Sequence, residues 1–132
     1  MKKTLIVLAI TILAFFVLAG GLLAQKKPGF LGAWTGFAII GDGSRVDNVS
    51  VTFAEGESGY TGKLAVPDMI PEALVRNIVF KDGKLSFDFD LWDDMGGSQL
   101  IRIELMLDQE TLKGHWFDAE GNSDIIELTL KK

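Results

Sequence analysis

The sequence predicts an all-β domain, an eight-stranded antiparallel up-and-down barrel over residues 32–132, preceded by an N-terminal signal or anchor helix. Three observations predict it. From residue 28 onward apolar and polar residues alternate with period two in short runs, the pattern of strands with one buried face. Short connections rich in Gly, Asp and Asn join the runs, which makes consecutive strands antiparallel neighbours. The inner faces carry hardly any ionisable side chain, so they must be hidden against one another in a barrel or a sandwich. Closure is preferred because it removes edge strands, and the chain shows few edge-protecting devices.

The first strand, over about 33–40, carries Trp34 and Gly36 on one face and Phe37 and Ile39 nearer the other. The second, over about 47–55, points Val49, Val51 and Phe53 inward against Asn48, Ser50 and Thr52. The third, over about 59–66, points Tyr60, Gly62, Leu64 and Val66 inward. Residues 67–74 break the alternation; their two prolines and Glu72-Ala73-Leu74 predict a turn with one short helical turn. The fourth strand, about 76–81, faces Ile78 and Phe80 inward, and Asp82-Gly83 supplies a tight hairpin turn. The fifth is the clearest: Leu85, Phe87, Phe89 and Leu91 alternate with Lys84, Ser86, Asp88 and Asp90. After the loop 93–97, the sixth strand turns Ile101, Ile103, Leu105 and Leu107 inward. The seventh, about 111–118, does the same with Leu112, Gly114 and Trp116, and the eighth, about 124–131, with Ile126, Leu128 and Leu130. Gly36, Gly62 and Gly114 fall inside strands, each two residues from an aromatic, where a small barrel must bend and large rings need room.

Lys2 and Lys3 precede an apolar run over residues 5–24, the layout of a secretory signal. Cleavage after Ala24 would leave Gln25 first and residues 25–31 as a short linker. The run also approaches the roughly 20 residues that span a bilayer, so a retained membrane anchor stays open. Both readings place the domain outside the cytoplasm, periplasmic or secreted. Cysteine is absent, which excludes disulfides and lipidation on cysteine. Without Lys2 and Lys3 the balance is 11 basic to 18 acidic residues, a charge of −7 against −5 for the whole chain. That sign disfavours nucleic acid as a partner and limits membrane contact to residues 1–24.

Gly32-x-Trp34 ahead of a meander resembles the lipocalin and calycin barrels, in which that tryptophan closes the narrow end. A closer likeness runs through Gly32-x-Trp34-x-Gly36, Tyr60-Thr61-Gly62-Lys63-Leu64, Ile70-Pro71, Phe80-x-Asp82-Gly83-x-Leu85-x-Phe87 and Leu112-Lys113-Gly114-His115-Trp116. It is similar to a barrel module that precedes secreted bacterial serine hydrolases. The resemblance implies the fold and an extracytoplasmic setting; it carries over no catalytic residue, because the hydrolase part has no counterpart in these residues.

The residues themselves do not point to an enzyme, a cofactor or a metal. The single histidine, His115, alternates outward and has no nucleophile or orienting acid beside it. Asp88 and Asp90 share the outward face with Asp93 and Asp94 close behind, a solvated acidic face. The turn 118–124 alternates oxygen side chains, but an EF-hand would need a glutamate where Thr129 stands, and hairpin chemistry accounts for Gly121-Asn122.

The candidate ligand-lining set is therefore aromatic: Trp34, Phe53, Tyr60, Phe80, Phe87, Phe89 and Trp116. An eight-stranded barrel is either filled by such side chains or holds one small ligand. A cavity there is expected to be apolar, with Tyr60 the one hydroxyl, and to suit an acyl chain or another hydrophobic small molecule. Phe37, Phe117 and Ile125 fall on the outer face of neighbouring strands and form a candidate surface patch for a protein partner, unless Phe30 or Leu31 covers it. Two functions follow: an exported binding barrel for a small hydrophobic ligand, or a non-catalytic interaction module with a solid core.

Overall fold

In a computed structural model, residues 28–132 are described; the signal or anchor expectation for residues 1–24, and residues 25–27 of the linker, lie outside them. Eight strands follow in order: β1 (Gly32–Ile40), β2 (Ser44–Gly56), β3 (Gly59–Val66), β4 (Ile70–Lys81), β5 (Lys84–Trp92), β6 (Ser98–Asp108), β7 (Thr111–Phe117) and β8 (Ser123–Leu130). Each pairs antiparallel with the next, and β8 pairs back onto β1 from Trp34↔Leu130 to Ala38↔Ile126. That last ladder decides between barrel and sandwich: the sheet is a closed barrel without an edge. The outer wall is mixed, with Lys63, Arg102 and Lys113 beside exposed Leu74, Val79, Leu100 and Met106.

The predicted inner faces are the buried ones. Val49, Val51, Phe53, Leu64, Leu85, Phe87, Phe89, Ile101, Ile103, Leu105, Leu112, Ile126 and Leu128 form one core. The β4–β5 hairpin is tight, with positive φ at both Asp82 and Gly83, the geometry of a type I′ turn.

Bulges interrupt the alternation at two asparagines, a residue that tolerates the left-handed region. Asn48 (φ 62°) lies where the β1–β2 register slips past Gly36, and it lets Val46 join Val49 on the inner side three residues apart. Asn77 (φ 56°) does the same on β4, placing both Val75 and Ile78 against the core.

Four expectations need correction. Residues 67–74 do not contain a helical turn; only 67–69 form a turn, with Met69 N–H donating to the Val66 carbonyl, and β4 begins at Ile70. Pro71 falls where the β3–β4 register slips between the Val66↔Ile70 and Leu64↔Ala73 pairs, a place that needs no ladder donor from it. Pairing of Ala73 and Leu74 with β3 then overrides their helical propensity.

Phe30 is no linker residue. It is fully buried and seals one end of the barrel, with its ring 4.9 Å from those of Tyr60 and Phe80 and 5.4 Å from Phe53. Its carbonyl accepts the Trp34 indole N–H at 2.8 Å. Phe30 therefore cannot cover the outer patch.

Asp88 is not solvated. On the outer wall it is only 2% exposed, because the Asn77 bulge folds over it. Its Oδ2 accepts from Asn77 Nδ2 at 2.8 Å and, at 3.5 Å, from Arg102 Nη2, while Arg102 Nε lies 3.3 Å from Oδ1, off the line of a hydrogen bond. Asp90 is held instead by a two-pronged pair with Arg76, at 2.7 and 3.1 Å.

The strand glycines serve close backbone approach more than ring packing. A Cβ on Gly36 would stand 1.9 Å from the Glu127 carbonyl oxygen, and one on Gly114 1.9 Å from that of Glu104. Only at Gly62 is an aromatic, Phe53, among the crowding neighbours.

Candidate functional site

The two ends of the barrel differ. At one end lie the connections 57–58, 82–83 and 109–110 together with Phe30. Here the aromatic side chains fill the interior. Trp34, Phe53, Tyr60, Phe80 and Phe87 pack with Phe30 into a plug, the Phe53 and Phe87 rings meeting edge-on at 5.3 Å.

At the other end, ringed by the connections 41–43, 67–69, 93–97 and 118–122, the barrel is hollow. A cavity of about 440 Å³ opens there. That volume falls within the roughly 300–1,000 Å³ of small-molecule sites. Its deep wall is aliphatic and aromatic: Ala38, Val49, Leu64, Phe89, Ile103 and Ile126, with Trp116 nearer the mouth. The space exists because the inward residues at this level are mostly Val, Ile and Ala, whereas the opposite level carries rings.

Of the seven aromatics expected to line a ligand site, the structure brings only Phe89 and Trp116 to the cavity wall. Trp34, Phe53, Tyr60, Phe80 and Phe87 belong to the plug, so the Tyr60 hydroxyl is not at the cavity. The interior is thus neither solid nor wholly hollow. Trp116 is anchored by its indole N–H donating to the Ile39 carbonyl at 2.8 Å, which fixes the ring at the rim of β1.

The polar groups of the site were missed. Gln99, Asp118, Asn122, Ser123 and Asp124 line the mouth. Asp124 is the Cα partner of Trp116 and shares its inward face. The signal was available, since Asp124 stands two residues before the inward Ile126. It was masked by the reading of 118–124 as turn chemistry alone. That chemistry is present too: Asp118 accepts the backbone N–H groups of Glu120 and Asn122, both at 2.9 Å, and the Asn122 side-chain amide at 3.0 Å. The amide of Asn122, chiefly, holds the Asp118 carboxyl below its ordinary value. Asp93 caps its own loop by accepting from Met95 and Gly97. Among the described residues no three acidic or histidine side chains converge as a metal site would require.

Outside the barrel, Phe117 and Ile125 are exposed at 36% and 45%. Phe37 is covered by the Arg45 guanidinium, 3.9 Å above its ring, which removes it from the patch. His115 is exposed, its ring 6.4 Å from that of Phe117.

No protein-family model, curated protein or solved structure matches this chain.

Proposed function

We propose that the protein is an exported, lipocalin-like barrel that binds a small hydrophobic molecule and performs no catalysis. The observation that carries this reading is the apolar cavity of about 440 Å³, closed at one end by the Phe30–Trp34 plug and open at the other. A blind, preformed apolar pocket gains affinity from burial and loses little to reorganisation. His115 is exposed on the outer wall and does not line the cavity, which favours binding over chemistry. Native mass spectrometry of the protein purified from its own host tests the reading. A bound mass that disappears in Ala38→Phe, which projects a ring into the cavity, is the expected result. A ligand-free mass, with no uptake of a neutral apolar dye, refutes it.

The second reading, a non-catalytic accessory module, is favoured by one observation: Phe117 and Ile125 remain exposed on adjacent strands. It no longer draws on a solid core or on Phe37. Phe117→Glu abolishes capture of a host protein under this reading and leaves ligand uptake untouched.

A further inference from the structure

We propose that the cavity selects a cationic amphiphile, an apolar body with a protonated amine or quaternary ammonium held at the mouth by Asp124 and Asp118. The inference rests on the binding reading above and adds the charge of the ligand to it.

Asp124 occupies the first inward position of β8, opposite Trp116, at the point where the apolar wall meets solvent. Asp118 lines the same side of the mouth. Among the described residues neither carboxylate makes an ion pair with Lys, Arg or His, and no basic residue lines the cavity. The four connections around this end carry Asp42, Asp68, Asp93, Asp94, Asp118 and Glu120, and not one lysine or arginine. The connections of the opposite end, 57–58, 82–83 and 109–110, are free of lysine and arginine too, but Lys81, Lys84 and Lys131 lie directly beside them or the end of β8. At the cavity end the nearest basic residue is Arg45, two residues into β2 and paired with Asp47.

The depressed pKa of Asp118 keeps it anionic throughout the neutral range. A carboxylate-headed chain such as a fatty acid would bring its charge up against the same sign, whereas a cationic head finds an unpaired partner where its apolar body ends. The expectation of a plain acyl ligand is thereby narrowed: the chain fits, an acidic head does not.

The test compares three probes with one alkyl chain, dodecyltrimethylammonium, dodecanol and dodecanoate, below their aggregation thresholds. Each displaces Nile red from the protein as its host produces it, at low ionic strength. The cation is expected to bind about tenfold more tightly than the alcohol, with the anion weakest. The cation's advantage should vanish in the Asp118→Asn/Asp124→Asn variant and shrink in high salt. Asparagine keeps an oxygen to accept the backbone N–H groups at each position, while at 118 the Asn122 side-chain amide loses its acceptor, so retained dodecanol binding certifies the fold. Asp124→Asn alone serves if the double variant loses it. Ala38→Phe must lower binding of all three probes, which separates the cavity from adsorption to an acidic surface. Equal binding of the three probes, or tightest binding of dodecanoate, overturns the charge assignment and leaves the cavity reading standing. Failure of every probe to displace the dye overturns both.

Discussion

Phe30→Ala is the sharpest structural test, because the residue lies before the first strand and yet is fully buried. Burying a phenylalanine side chain is worth about 1.5–3 kcal/mol in transfer free energy. Its removal also leaves a void walled by Phe53, Tyr60 and Phe80, rings held at 4.9–5.4 Å that cannot close over it without leaving their strands. Transfer and cavity together give about 3–5 kcal/mol, the usual range for Phe→Ala in a core. The Trp34 N–H keeps its acceptor, since that is the backbone carbonyl of residue 30, so the effect isolates the ring. Equilibrium urea unfolding followed by tryptophan fluorescence is the assay. With a slope of about 2 kcal/mol per molar urea, the midpoint should fall by about 2 M. Phe30→Leu should recover most of the loss. A midpoint shift under about 0.5 M for Phe30→Ala at unchanged slope would mean that the ring does not seal the barrel, and that residues 28–31 are linker after all.

Other outcomes follow from the same geometry. Gly114→Ala places a methyl 1.9 Å from the Glu104 carbonyl oxygen, so a strand must move; a loss of about 3 kcal/mol or more is expected in the same unfolding assay. Arg102→Ala leaves the buried Asp88 carboxylate with the Asn77 amide alone and should cost about 2–4 kcal/mol, because the remaining charge stays out of water. Asp88→Ala leaves behind a half-exposed arginine that water can solvate, and should cost less, about 1–2 kcal/mol; the reverse order would refute the account of that cluster. The lowered pKa of Asp118 means that its contribution to stability is complete above its unfolded value near 3.8 and is lost as pH falls through the lower folded value. Asn122→Ala removes the main cause of that shift, so it should lower stability at pH 7, where the contribution is complete, and reduce by the same amount the fall measured between pH 5 and 2, with little change at the acid end.

Strand parity was legible in the sequence wherever no bulge intervened. Leu85-x-Phe87-x-Phe89 on β5 and Ile101-x-Ile103-x-Leu105 on β6 point inward because successive side chains on a strand take opposite faces, a local property of the backbone. Asp82-Gly83 was legible for the same reason, since its turn depends on two residues and no others. Closure is a different kind of fact: the β1–β8 ladder joins residues about a hundred positions apart, and parity alone permits a sandwich. Height along the barrel axis was also beyond local reading. Trp34 and Trp116 share the inward parity, yet the register of β1, β8 and β7 sets them at opposite ends, one in the plug and one at the mouth. That register separated Phe53, Tyr60, Phe80 and Phe87 from the cavity and brought Asp124 to it. The bulges at Asn48 and Asn77 reset parity in mid-strand, and the second of them buried Asp88, which alternation had put in water. Phe30 belongs to no strand and has no periodicity to betray it; only the assembled ring of aromatics shows that the barrel end had a space of its size to fill.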